Sequence, residues 1–423
     1  MQLLEFGVPE GSLTASFRIE EIMNGPKFLI PCADRVANLP PYVFATVFRM
    51  KAEALAAGRE VIDLGVGNPD GRAPNNIIAA LDRTLTDDTW NCHGYGTFNG
   101  RPEFRKAIAD WYGSRFGVEL DAETETLPLI GSKEGLANLM RGYLNSGDTV
   151  IIPSPCYPAY FGAARLCEAE IYEPALTEDE GFVLDFEAIP AQVADRARML
   201  ILNYPHNPTG GICDLGFYKK AVDWCRDHQV LLVSDIAYSE LGFDTHNPPP
   251  SVFQVDGARE VAVEFQSLSK SHNMAGWRVG FAVGGAEVIT TLGRVKSNVD
   301  FSLFGGIQMA AVEALSGSQQ ICADNRALYQ HRGELMAAGY KNLGWTVPVP
   351  EATMYIWARI PAAWEQDDFA FITEVFEKSG VLLSPGSGFG LHGKGYVRTS
   401  LVADDARIAR VMELLKAADL NWE

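Results

Sequence analysis

The stretch SLSKSHNMAGWRVG, Ser267 to Gly280, decides how the whole chain is read. It continues the apolar run VAVEFQ, sets Lys270 among small hydroxyl residues, and places Arg278 eight residues further on. An ordinary lysine is a solvated surface group. A lysine at the end of a buried strand is different, because desolvation or a neighbouring cation lowers its pKa. It can then form an imine with a carbonyl. Ser267 and Ser269 flank it with donors, and Arg278 can grip an oxyanion through two N–H groups. A Schiff-base lysine beside a phosphate clamp describes a pyridoxal phosphate site.

The surrounding sequence fits such a site. From about Thr149, the apolar runs TVIIPS, EAEIYEP, RMLILNYP, VLLVSD, VAVEFQSLS and VGFAVGG alternate with amphipathic segments such as FYKKAVDWCRDH. This alternation predicts an α/β layer with a mostly parallel sheet. Ligands on such sheets bind outside the carboxyl ends of the strands. That singles out Asn203, Asp235, Ser267 and Lys270. The region from about Gly317 to Glu423 reads as a smaller α+β part. It opens with the helical pattern CADNRALYQHRGELMAAGYKNLG and later carries the short runs TMYIWARI and GYVRTSLV.

A phosphate cradle is expected where a strand meets a helix N-terminus, and LPLIGSKEGLANLMRGYL has that form. Leu136, Leu139, Met140, Tyr143 and Leu144 make one helical face, with Gly131 and Ser132 at its start, where free backbone N–H groups favour an anion. Ser132 also reads as a plain N-cap. Lys133 opposes the helix dipole unless an anion lies nearby. A pyridinium nitrogen requires a carboxylate, and Asp235 ends VLLVSD; a buried carboxylate must be paired. Tyr238 and Asn207 (in NYPHNPTG) are placed to donate to a phenolic ring oxygen.

The chain has 423 residues, 47% of them hydrophobic, enough for a large core and more than one domain. A net charge of -19 argues against a nucleic-acid partner, which needs a basic face, but not against a small anion. The start, MQLLEFGVPEGSL, lacks a basic n-region, so no secretory signal is expected. No apolar run is long enough to span a bilayer, so no membrane partner is expected. The seven cysteines are scattered and never spaced as CxxC, which reads as reduced thiols in a cytoplasmic protein with no metal site.

GSKEG, NYPHNPTG, SDIAYSE and SLSKSHNMAGWRVGF resemble, in order and spacing, the fold-type I pyridoxal-phosphate-dependent aminotransferases of class I/II. The resemblance runs from about Leu39 to the end. It is nearest the branch of LL-diaminopimelate, alanine and aspartate aminotransferases, with GSKEG and KSNVD most like the diaminopimelate enzymes. It implies an aspartate-aminotransferase-like fold: a large domain, 72–315, whose mostly parallel sheet is sandwiched by helices. A smaller α+β domain would comprise 31–71 and 316–423, preceded by an N-terminal arm, 1–30. It also implies pyridoxal 5′-phosphate as cofactor, an amino acid and a 2-oxo acid as substrates, and a homodimer with shared active sites.

By the same resemblance, Lys270 forms the internal aldimine and shuttles the proton, and Asp235 pairs with the pyridinium nitrogen. Asn207 and Tyr238 bind the phenolic oxygen, and Tyr157 stacks on the ring. Ser132, Lys133, Ser267 and Arg278 surround the phosphate, with Tyr95 reaching it from the other subunit. Arg398, in GYVRTSL, takes the substrate α-carboxylate, helped by backbone near Gly67.

Substrate choice stays open. Lys296 favours an acidic side chain and Asp300 a basic one, and both fall where this family reads that side chain, often across the dimer interface. NCHGYGTFNG departs from the diaminopimelate pattern at Gly94, Gly96, Phe98 and Asn99. His93, His206 and His272 lie within motifs as supporting or packing residues. The same scaffold hosts other chemistry. A cyclase or a β/γ-eliminating lyase acting on a modified amino acid would share Lys270 and Asp235. A non-catalytic regulator lacks support, since every expected catalytic position is filled and no basic stripe is present.

Overall fold

Seven strands form the central sheet of the computed structural model, which describes residues 30–40, 43–364 and 366–422. Except for Ile30, the expected arm at 1–30 lies outside the described residues. In chain order, β1 is Ile62–Asp63, β2 Thr126–Leu129, β3 Thr149–Ile151 and β4 Glu170–Tyr172. They are followed by β5 Ala197–Asn203, β6 Leu231–Asp235, β7 Ala262–Ser267 and β8 Gly280–Gly284. The central order is β2-β8-β7-β6-β5-β3-β4. Pairings from β4 through β7 are parallel; β8 runs antiparallel to both β7 and β2. The run VGFAVGG thus forms the expected strand, but in the reverse direction.

Strands covered on both faces should be mostly apolar, and β7 and β8 are buried at every position, with Glu264 and Gln266 of β7 held by hydrogen bonds to Ser234 and Ser239. One face packs on Phe104, Tyr112, Leu200, Leu232 and Phe281. The other packs on Leu129, Leu136, Leu139, Val233 and Phe265. A third apolar cluster surrounds β9 (Tyr355–Arg359), β10 (Val381–Leu382), β11 (Ser384–Pro385) and β12 (Tyr396–Ser400), and includes Tyr329, Met336 and Phe371. Here β11, β12 and β9 make an antiparallel sheet, while β10 pairs in parallel with β1.

This topology brings the last residues of β5, β6 and β7 (Asn203, Asp235 and Ser267) to one edge of the sheet. Helix α1, Ser132–Tyr143, starts at the same edge after β2. The turn between them places Gly131 at φ 78°, a left-handed conformation that favours glycine. Glu134 Oε2 accepts the Ile130 N–H at 2.9 Å and ties the helix start to the turn.

Candidate active site

A cavity of about 260 Å³ opens where these strand ends face β9 and β12. Its walls include Lys270, Asp235, Tyr238, Asn207, Tyr157 and Gly67. Ser132, Lys133, Ser267, Arg278 and Arg398 complete the set of sequence-predicted residues that the structure brings together. Tyr95 alone lies elsewhere, 99% exposed, edge-on to Phe301 with ring centroids 6.2 Å apart.

Asp235 is buried, and its Oδ2 accepts the Tyr160 hydroxyl at 2.7 Å while Oδ1 accepts the Ala237 N–H at 3.1 Å. Burial pushes its pKa up to about 6, against the lowering effect of those two bonds. Such a carboxylate is poised to pair with a cationic ring nitrogen. Its backbone oxygen accepts the Asn203 side-chain amide at 2.7 Å, and Asn203 Oδ1 accepts the Asn207 N–H at 3.0 Å. Adjacent strand ends therefore fix each other's polar groups.

Lys270 sits on a short helix, Leu268–Ser271, that begins where β7 ends and Ser267 caps it by accepting the Ser269 N–H. Its ammonium donates to Gly67 O at 2.5 Å. Burial lowers its pKa, Tyr355 opposes this, and Arg398 and Arg278 lower it further. An amine held this way reaches its nucleophilic, proton-accepting form more readily than a surface lysine.

Arg398, in the middle of β12, donates to Asn207 Oδ1 at 2.9 Å and to Gly65 O at 2.7 Å. Its guanidinium lies over the Tyr355 ring, 4.1 Å from the centroid, and near Phe389 at 4.7 Å. A buried, planar cation held in this way suits a carboxylate.

Tyr160, Tyr355 and Phe389, to which the sequence assigns no role, also line the cavity, as do Asn203 and Ser269. Tyr160 lies in PSPCYPAY, one helical turn from Tyr157, and that spacing was the available signal. Asn203 was visible as a strand-end polar residue. Tyr355 and Phe389 meet the cavity only through tertiary packing.

Neither Lys296 nor Asp300 lines the cavity of this chain. Lys296 is 0% exposed on helix α2, Ala286–Val299, and donates to Asp300 Oδ1 at 2.5 Å and Glu134 Oε2 at 3.3 Å. Asn138 bridges the same two carboxylates. The charges answer one another, and they brace α1 behind Ser132 and Lys133. K296M is expected to leave two facing carboxylates uncompensated and to destabilise the fold by about 3–5 kcal/mol. Denaturant unfolding checks this, and a loss below about 1 kcal/mol would contradict it.

Of the motif histidines, His206 and His272 pack as expected and His93 does not. His206 is buried against Thr209 at 2.7 Å and pushed down to about 3 by burial. Burial pushes His272 down to about 4; it contacts Ser271 at 2.8 Å. The His93 ring lies on the surface near Leu85 O. Among the described residues, no cluster of metal-ligand residues and no helix long and apolar enough to cross a membrane occurs.

An amine, a buried carboxylate and an anion cradle at one edge of an α/β sheet define a class of cofactor-dependent enzyme. The sequence profile of the family described as aminotransferase class I and II matches residues 59–415. LL-diaminopimelate aminotransferase from Halothermothrix orenii is 42% identical over 391 residues, 92% of this chain and 99% of the relative. The solved structure of substrate-bound BacF from Bacillus subtilis is similar at TM-score 0.89 and 35% identity, covering 93% of this chain and 99% of that one. A single mutant of Thermus thermophilus aspartate aminotransferase gives TM-score 0.86 at 27% identity, over 92% and 100%. The chain belongs to the class I and II aminotransferase family. It is a transaminase of aspartate-aminotransferase-like fold that uses pyridoxal 5′-phosphate to move an amino group from an amino acid to a 2-oxo acid.

The residues present fit that cofactor. A Cβ on Gly131 would overlap the Arg278 guanidinium, and one on Gly280 would overlap Gln266 O and Ser132 N. Both glycines keep open a cradle rimmed by Ser132, Lys133, Ser267 and Arg278, which is suited to a phosphate dianion.

Proposed function

We propose that the cavity residues carry the roles their chemistry allows, in a homodimer acting on a diamino dicarboxylic L-amino acid of the diaminopimelate type. The observation behind the substrate class is the near-complete coverage of relatives named LL-diaminopimelate aminotransferase, at 42% and 43% identity. The same relatives favour amino transfer over the cyclase or eliminating-lyase reading.

Bound pyridoxal 5′-phosphate supplies an aldehyde that captures amines and a protonated ring that draws electrons from the substrate Cα. Ser132, Lys133, Ser267 and Arg278 hold the phosphate with hydroxyls, helix N–H groups and two cations. Asp235, oriented by Tyr160, keeps the ring nitrogen protonated. Asn207 and Tyr238 donate to the phenolic oxygen, and Tyr157 covers the ring face. Arg398, braced by Asn207 and Gly65 O, fixes the substrate α-carboxylate, aided by backbone at Gly67. Lys270 Nζ is the group that would take and return the substrate Cα proton.

Tyr95 reaches the phosphate of the neighbouring subunit. Its complete exposure supports this, as do the partly exposed Phe98, Val299, Phe301 and Phe304. The small domain comprises 31–71 and 316–423 and the large one 72–315, a division supported by the separate apolar cluster around β9 to β12. A cytoplasmic setting agrees with seven free cysteines.

R398A is expected to raise KM for the amino acid by about 10²-fold, the value of one charge-assisted bidentate contact, with a smaller fall in kcat. An unchanged KM would remove Arg398 from the substrate site. A panel of amino-acid donors, read by single-turnover absorbance and product mass, tests the substrate class. Conversion of LL-diaminopimelate at least about tenfold faster than alanine, aspartate or aromatic donors is expected. A slower rate would overturn that class.

A further inference from the structure

Tyr355 is the second cavity residue on the arginine's side of the β9–β12 ribbon. Arg398 pairs in register with Trp357 and Ser400 pairs with Tyr355, so these four side chains share one face, with Tyr355 diagonal to Arg398. That diagonal places the guanidinium 4.1 Å above the phenol ring. At its far end the hydroxyl lies 3.0 Å from the Tyr238 hydroxyl. The ring is 2% exposed and packs edge-on against Tyr238, with centroids 5.9 Å apart. A Cβ on Gly67 would overlap the Tyr355 hydroxyl, so Gly67 leaves room for it beside the Lys270 contact.

We propose that Tyr355 is a positioning residue with two separable duties: its ring sets the plane of Arg398 for the substrate carboxylate, and its hydroxyl aims and polarises Tyr238. The inference rests on the roles proposed for Arg398 and Tyr238. The charged and titratable groups near Tyr355 are Lys270, Arg398, Tyr238 and Tyr329. If Tyr238 donates to the cofactor's phenolic oxygen, it must accept from Tyr355 O–H, because each hydroxyl has only one proton. Accepting that bond strengthens Tyr238 as a donor. A stronger donor stabilises the ionised phenolic oxygen and lowers the pH at which the cofactor–Lys270 linkage loses its proton. The ring contributes differently. It presents its negative face to a buried cation and holds the guanidinium flat across the cavity.

The test uses holoenzyme variants and two readouts: the pH midpoint of the bound cofactor's visible absorbance and the KM for the amino acid. Y355F keeps the ring and loses the hydroxyl. It should raise the midpoint by about 0.3 units and leave KM within about twofold. Y355L removes the ring and should raise KM at least about tenfold with a smaller effect on kcat. Y355M, closer in length, serves as the ring-less variant if Y355L does not fold. A midpoint unmoved in Y355F but moved in Y238F overturns the hydroxyl's duty. A KM unmoved in the ring-less variant but raised in R398A overturns the ring's duty. If Y238F and R398A themselves change neither readout, the underlying assignments fail, and this inference fails with them.

Discussion

Replacing Lys270 with alanine is expected to lower kcat at least about 10⁴-fold, because one side chain supplies both the covalent link and the proton transfer. The structure isolates this amine from substitutes. Its nitrogen is held against Gly67 O, and the other amine in the cavity wall, Lys133, stands on a different element at the α1 N-terminus. The phosphate cradle does not depend on it, so the variant should still bind the cofactor, without the covalent linkage. A small added primary amine should restore part of the lost rate. Turnover within about tenfold of wild type would exclude the mechanism.

The second large effect is expected at Asp235, where function and stability oppose each other. In the cofactor-free protein its pKa is about 6, above the ordinary 3.8, chiefly through burial. The folded state therefore binds this proton more tightly than the unfolded state does. The stabilising contribution is full below about pH 4 and is lost as pH rises through about 6, a loss on the order of 3 kcal/mol. D235N keeps the shape, still accepts the Ala237 N–H and can donate its amide N–H to the Tyr160 oxygen, but never ionises. The cofactor-free variant should melt about 2–4 °C above wild type near pH 8, and the gap should close near pH 4. Its kcat should fall at least about 10³-fold, because no charge remains to hold the ring nitrogen protonated. Scanning calorimetry across pH and steady-state assays check both. A wild-type kcat, or a lower melting point near pH 8, would contradict this role.

The parts of the fold that sequence revealed were those with local pattern. The runs ending in Asn203, Asp235 and Ser267 are apolar because parallel strands are covered on both faces, and each became a strand. CADNRALYQHRGELMAAGYKNLG became one helix, Gln320–Asn342. The direction of β8 was hidden, since a buried run reads the same either way. The two-residue pair β1–β10 was hidden too, because its partners are far apart in the chain and carry no period. In the site, Ser132, Asn203, Asp235, Ser267 and Lys270 were legible because they sit at strand ends and helix starts, whereas Tyr157, Arg398 and Gly67 came only from the family resemblance. Tyr355 was not, because it joins the cavity only when β9 and β12 pair, and Phe389 was not, because it comes from the turn between β11 and β12. Lys296 and Asp300 pose a related problem. A charge in a motif does not announce its partner, and here the partners were each other and Glu134.

Borohydride reduction of the native holoprotein, followed by peptide mass analysis, tests the central claim most directly. A pyridoxyl group fixed on Lys270 is the predicted result. An unmodified Lys270, or the group fixed on another lysine, would contradict it.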